Sequence, residues 1–238
     1  MASTITLQRT VNLASIFTRL APNTGVGGFT NEPALSNGDW VRQFILAPPF
    51  AWRWNRATTT FNTIVGTQDY QISLANFGWL EKATLKDPNG NYHELQVMLN
   101  LGEESTQNLP VSIAPRLDDD AGNITFRLMP VPDVVYTVAL SYQKAAVSFS
   151  ALTDLWSPIP DYLSYLINQG FLAKTYEYLD DQRFVPTMQM FMRQVIAANE
   201  GLKDSQIDLF LSERINSMRE MQSQLGNSQS ARQARGAF

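Results

Sequence analysis

The sequence contains no cysteine and a single histidine. A disulfide framework and a thiolate metal site are therefore excluded, as is any metal site built on two or three imidazoles. Charge is scarce too: Asp, Glu, Lys and Arg make up 17% of the chain, where a globular domain usually has about a quarter. The basic residues form no block and the net charge is −4. That argues against a protein that grips nucleic acid through phosphates, which requires a basic stripe. No apolar run approaches the roughly 20 residues a membrane-spanning helix needs. The first nine residues lack the charged-then-apolar pattern of a secretory signal. The expectation is a chain with no membrane contact that assembles in a cytoplasm.

Asn, Gln, Ser and Thr fill the place of the missing charges. Such a surface is cheap to desolvate compared with a charged one, which suits a chain packed against neighbours. The hydrophobic fraction is 44%, enough to bury a sizeable core. The length, 238 residues, fits one domain or two small ones.

The pattern along the chain gives four regions. Residues 1–50 read as helical: Leu7, Val11, Leu13, Ile16, Phe17 and Leu20 recur at three- and four-residue steps, as if on one face. Pro22, Asn23 and the stretch Gly25, Val26, Gly27, Gly28 break this helix. A second helix starts at Thr30 or Asn31 and stops at Pro48 and Pro49, with Gly38 weakening it. Residues 51–150 read as six or so short antiparallel strands. Asp87-Pro88-Asn89-Gly90 is the strongest hairpin signal, because Asn-Gly readily adopts the positive φ of a tight turn. A second hairpin turns at Asp118, Asp119, Asp120, Ala121 and Gly122, and Val134 to Gln143 forms the last strand. Residues 151–225 return to helix. One helix is capped by Asp161; the next, after a break at Asp180, Asp181 and Gln182, carries Met188, Phe191, Met192 and Val195, with Gly201 as its stop. A last helix is capped by Asp204 or Ser205. Residues 226–238 have no periodicity and almost nothing to bury, and should be a flexible tail. The predicted fold is α+β: a bundle of N- and C-terminal helices with an inserted antiparallel β-sandwich or barrel.

Catalytic and metal-binding constellations are sparse. His93, beside Glu94 in a strand, reads as a surface histidine. Asp118, Asp119 and Asp120 lack the alternating twelve-position pattern of a calcium loop and suit a solvated turn. The Gly25 to Gly28 stretch is followed by no Lys-Ser/Thr and is not a phosphate cradle. Trp52-Arg53-Trp54-Asn55-Arg56 interleaves aromatic and basic residues, as single-strand nucleic-acid platforms do. On a strand Trp52 and Trp54 would share one face, with one face of the strand in the core and the other at a surface or subunit contact. Met190 falls off the apolar stripe of its helix and is the best methionine for an intersubunit contact. No catalytic, cofactor or metal residues are assigned. A hydrolase built on the aspartate cluster is disfavoured by the lack of any nucleophile motif.

The segment from Phe126 to Lys144 carries a resemblance. A strand ends in a Pro-x-Pro turn and a second strand reads Tyr-x-x-x-x-x-Tyr-Gln, through Pro130, Pro132, Asp133, Tyr136, Tyr142, Gln143 and Lys144. Residues 152–156, then Pro158-Ile159-Pro160-Asp161 opening a helix with Gly170 and Ala173, continue it. So does the turn from Gly66 to Tyr70 upstream. This pattern resembles the head-to-tail connector adaptors of tailed bacteriophages over residues 51–191; the helical region before residue 50 is longer than that family leads one to expect. The resemblance implies a non-enzymatic virion protein of the neck, made in the host cytoplasm. It implies a dodecameric ring beneath the portal protein, in contact with a tail nozzle or tail tube protein. Double-stranded DNA would pass through the ring without specific binding. A C-terminal tail would dock on the portal, with Gln229, Arg232, Gln233, Arg235 and Phe238 as portal-binding residues. Trp52, Trp54 and Met190 would lie at the subunit interface. Two other readings stay open: a tail tube, nozzle or neck component, and a β-domain module that binds carbohydrate or nucleic acid by stacking on Trp52, Trp54 and Trp79.

Overall fold

The structure, a computed structural model, describes residues 3–18, 31–74, 76–118 and 123–199. The expected last helix, the Gly201 stop, the glycine-rich stretch from Gly25, most of the second hairpin's tip and the C-terminal tail lie outside the described residues. The chain forms two compact units. One joins Met1–Ile45 to Ser148–Phe238, and the other is Leu46–Val147.

In the helical unit, α1 (Leu7–Thr18) begins where the Thr6 hydroxyl accepts the Arg9 N–H at 3.3 Å, a side-chain cap. Its buried stripe is Leu7, Thr10, Val11 and Ala14. Leu13, Ile16 and Phe17, expected on that stripe, are exposed, Ile16 by 72%. At about 100° per residue Ile16 stands opposite the face that holds Leu7 and Ala14. Thr10 takes an apolar position because its hydroxyl accepts the Trp156 indole N–H at 3.0 Å. Before α1 the chain is extended and bridges Thr6 to Leu155. Asp161 holds this segment, accepting from the Ser3 hydroxyl and the Thr4 amide at 2.9 Å and the Thr4 hydroxyl at 2.5 Å. The Thr4 bonds foremost hold its carboxyl below the usual aspartate range. Asp161 was expected to cap a helix, but no side chain caps either the short 3-10 turn Asp161–Leu163 or the helix after it, and the carboxylate is engaged by the N-terminal segment.

Helix α2 (Asn31–Leu46) stops before Pro48 and Pro49, as proline requires. Gly38 has a packing reason: a Cβ there would lie 2.9 Å from Leu7 Cδ1 and 3.0 Å from the Phe149 ring. Helices α3 (Ser164–Tyr178) and α4 (Phe184–Ala198) flank the expected polar break, where Asp180 adopts a φ of 55°. Asp181 accepts from Arg183 in this break, which lowers its pKa. Met188, Phe191, Met192 and Val195 are buried on α4 as their spacing predicts. Phe191 meets Phe44 of α2 at 5.1 Å between ring centroids and fills the space above Gly170 of α3. The buried cation Arg42 stacks 3.4 Å from the Phe149 ring centroid and donates to the Leu155 carbonyl at 2.6 Å. Burial lowers its pKa to about 10, so it stays charged at neutral pH.

The second unit opens with a 3-10 turn, Arg53–Asn55, followed by β1 (Arg56–Asn62), β2 (Asp69–Ser73), β3 (Phe77–Lys86), β4 (Tyr92–Val97), β5 (Gln107–Asn108), β6 (Ser112–Asp118), β7 (Asn123–Met129), β8 (Val131–Pro132) and β9 (Thr137–Lys144). Seven strands form one sheet in the order β1-β9-β3-β4-β6-β7-β2, and β5 and β8 form a small parallel ribbon. All pairs in the large sheet are antiparallel except β4 with β6. Of the expected antiparallel β-sandwich or barrel, the structure has a largely antiparallel sheet curled into a half-barrel. Its concave side holds a continuous core that includes Leu85, Ile113, Phe126, Leu128, Val138 and Leu140. The edge strands approach through side chains, Phe61 of β1 meeting Tyr70 of β2 at 5.2 Å between centroids. The strands of both expected hairpins pair antiparallel, β3 with β4 and β6 with β7. In the first, Gly90 has a φ of 92° and Asp87 accepts the Asn91 amide at 2.8 Å.

Edge strand β2 is tied down electrostatically. Asp69 receives both arms of buried Arg127 at 2.7 Å and Arg116 at 2.7 Å. The Arg127 bonds foremost hold its carboxyl below the usual aspartate range. This stabilisation is full above a pH of about 4, the ordinary aspartate value, and fades as the pH falls through the depressed folded value. Asp69→Asn is expected to cost about 2 kcal/mol at neutral pH, moderated because the carboxylate is partly solvated. Urea unfolding at neutral pH and near pH 3 checks this: the gap between the two proteins should narrow in acid.

Candidate assembly surfaces

The Pro-x-Pro and Tyr-Gln residues turn out to be structural anchors. Val131 and Pro132 form β8, paired with β5. The Tyr136 hydroxyl donates to Asp133 at 2.5 Å, and burial foremost, then Asp133, pushes its pKa up to about 12. Gln143 is fully buried; its amide donates to Glu81 at 2.7 Å and its oxygen accepts the Trp52 N–H at 3.2 Å. Glu81 is also paired with Arg56. The Asn55 side chain donates to the Lys144 carbonyl at 2.8 Å. The end of β9 thus fixes the turn that carries Trp52 and Trp54.

That turn corrects the strand geometry expected for the two tryptophans. They belong to a 3-10 turn and its entry, where Trp52 is buried and Trp54 half-buried, with ring centroids 5.3 Å apart. Asn55, which on a strand would share a face with Arg53, is buried while Arg53 is exposed. A 3-10 turn rotates successive side chains by about 120°, so alternate residues do not share a face. Trp79 is half-buried and donates to the Leu46 carbonyl at 3.3 Å. Met190 is 48% exposed on α4, with Ile16 and Phe17 of α1 and Tyr162 also exposed on the helical unit. Gln229, Arg232, Gln233, Arg235 and Phe238 lie outside the described residues.

His93 sits half-exposed on β4, 3.5 Å from Asp87. Among the described residues no three His, Asp or Glu side chains gather in a metal-binding group. A depression of about 490 Å³ runs along Glu81, Lys82, Glu94, Leu95, Gln96 and Val97. Its charges answer each other, Lys82 pairing with Glu94 at 3.1 Å. It brings together no nucleophile and general base, so its chemistry is that of a sheet surface.

One surface went unread in the sequence. The last strand was expected to begin at Val134, but β9 begins at Thr137 and leaves Val134 and Val135 exposed in a loop. Ile64 and Val65 stand exposed in the loop after β1. The available signal was apolar β-branched pairs beside the turn residues Gly66 and Pro132.

A family model described as SU10 adaptor protein matches residues 12–221, nearly the whole chain. No curated protein matches it.

Proposed function

The chain belongs to the SU10 adaptor protein family, a family of phage head-to-tail adaptors, and from that premise we propose that it forms a dodecameric ring joining the portal to the tail around the DNA channel. A structural phage adaptor role and a place in the virion follow from the family. The ring, its stoichiometry and its partners are the proposal. The observation that supports it is the exposure of large apolar side chains on the helical unit, Ile16 and Phe17 on α1, Tyr162 in the turn before α3 and Met190 on α4. Such side chains are available to a contact between neighbouring copies, and a head-to-tail contact repeated about a closed axis makes a ring. Trp54, backed by buried Trp52, and Met190 would serve in the subunit contact. A chain of net charge −4 would leave the channel wall weakly attractive to phosphates, as sliding DNA requires.

The C-terminal tail would supply the portal contact, through Gln229, Arg232, Gln233, Arg235 and Phe238. A short segment that orders on binding gains a large contact from few residues. Electron microscopy with mass measurement of the full chain, alone and mixed with its own portal protein, tests the reading. Rings with an open channel are expected in at least one sample. Deleting residues 229–238 should leave the circular dichroism unchanged and abolish portal binding. A monomer indifferent to the portal would favour a tail tube, nozzle or neck component, or a ligand-binding module.

A further inference from the structure

We infer that one end of the half-barrel is a docking surface for a tail-side virion protein whose contact surface is apolar at its centre and ringed by Lys or Arg; this rests on the adaptor reading above. The second unit begins at Leu46 and ends at Val147, and its first and last strands pair from Arg56↔Gln143 to Asn62↔Thr137. The chain's entry and exit are therefore at one end of this pair, and the loops after Asn62 and before Thr137 are at the other.

Three loops are laced together at that end. The Thr63 amide donates to the Tyr136 carbonyl at 2.8 Å, and the Thr63 hydroxyl accepts the Tyr136 amide at 2.8 Å. The Gly66 amide reaches the Pro132 carbonyl at 3.0 Å, and the Val131 amide reaches Thr106 in the third loop at 3.1 Å. The Tyr70 hydroxyl pins the first loop from inside, accepting the Ile64 N–H at 3.1 Å and lying 2.6 Å from the Thr67 carbonyl. On this fixed backbone Ile64 is 63% exposed and Val135 55%, with Val65 and Val134 exposed beside them in sequence. The turns need Gly66, with its φ of 75°, and the prolines. They do not need four β-branched apolar side chains, since Ser or Asn serves a turn equally well. On a fixed backbone the four β-branched side chains lose little conformational freedom on binding, which makes exposed apolar surface a more effective contact.

Charge selects the partner. Residues 62–69, 98–111 and 130–136 contain no Lys or Arg. They carry Asp69, Glu103, Glu104 and Asp133. Asp69 is answered by Arg127 and Arg116, and Arg127 also acts on Glu103. The end of β3 beside Thr137 adds Lys86, which lies over the Tyr92 ring, and the following Asp87, so the balance at this end stays acidic through Glu103, Glu104 and Asp133. A second copy would bring the same acidic rim to a tip-to-tip contact, setting like charges together. Phosphates and anionic lipid headgroups would be repelled for the same reason. The complementary surface is a protein with an apolar centre and a basic border.

The test uses phage carrying the Ile64→Glu/Val135→Glu variant and, separately, Glu103→Lys/Glu104→Lys. Circular dichroism melting of the purified chains should match the parent, since the apolar pair is exposed on loops. Mass spectrometry of purified particles then reads their composition. The expected result for the first variant is DNA-filled heads that retain the portal and this chain but lack the tail-side component, with titre reduced about 100-fold or more, the scale of losing an apolar contact centre. The rim variant should lose about 10-fold in titre, with tail attachment more sensitive to salt in the parent than in the variant. Complete particles from both variants would overturn the inference, as would heads that lose this chain together with the tail. Parent particles that lack this chain beside the portal would instead overturn the adaptor reading.

Discussion

Replacing Arg42 with alanine is expected to lower the stability of the protein by about 3–5 kcal/mol, the cost of dismantling a buried charged contact. Three losses combine. The guanidinium leaves the Phe149 ring, over which it stacks at 3.4 Å, and a desolvated cation–π contact is worth about 2 kcal/mol. The Leu155 carbonyl, its partner at 2.6 Å, loses a charged donor. The long side chain also leaves a cavity beside Phe149 and Trp156, which meet edge to face at 4.9 Å. Arg42→Met should recover more than half of the loss, because it refills the volume and removes the burial cost that lowers the arginine pKa to about 10. Urea unfolding of the three proteins at neutral pH measures both effects. Equal losses for alanine and methionine would assign the effect to charge alone and not to packing.

Gly170→Val is expected to cost about 3 kcal/mol, with Gly170→Ala well below it. A Cβ at this position would stand 2.7 Å from Phe191 Cε2 and 2.9 Å from Val41 Cγ1. Phe191 is fully buried and touches Phe44, so it has little room to give, and overpacking of this kind usually costs about 1–3 kcal/mol. Alanine recovers about 1 kcal/mol in helix propensity and adds only one carbon. Valine gains less propensity and adds branched bulk in the same place. Thermal melting resolves the order Gly, Ala, Val. If the alanine variant were the most stable of the three, helix propensity would outweigh the close approach of Phe191. A restoring change at Phe191, such as Phe191→Leu in the valine background, should recover part of the loss.

The candidate surfaces were legible to different depths. The exposure of Met190 could be read because a lone apolar residue off a helix stripe has no core to enter. Trp52 and Trp54 were misread as strand residues because aromatic and β-branched content signals a strand whatever the backbone does next. The turn exists because Gln143 and Lys144, about 90 residues downstream, bind it. Ile64, Val65, Val134 and Val135 were hidden for a related reason. Apolar pairs next to strands read as strand ends, and only the laced loops leave them outside the sheet.

Local chemistry in the sequence determined the helix and strand segments. Pro48 and Pro49 cannot continue a helix, Asn89-Gly90 favours a tight turn, and the apolar spacing of α4 points to one buried stripe. The Phe126 to Lys144 pattern pointed to the adaptor family, and within it Pro132, Tyr136 and Gln143 hold loop and turn partners. Tertiary structure alone decided which side of α1 is buried, since Trp156 draws in Thr10 and leaves Ile16 outside. It also decided the parallel pairing of β4 with β6 and the curling of the seven-stranded sheet. These outcomes depend on partners far along the chain, and the periodicity of a segment records which of its residues share a face, not what that face will meet.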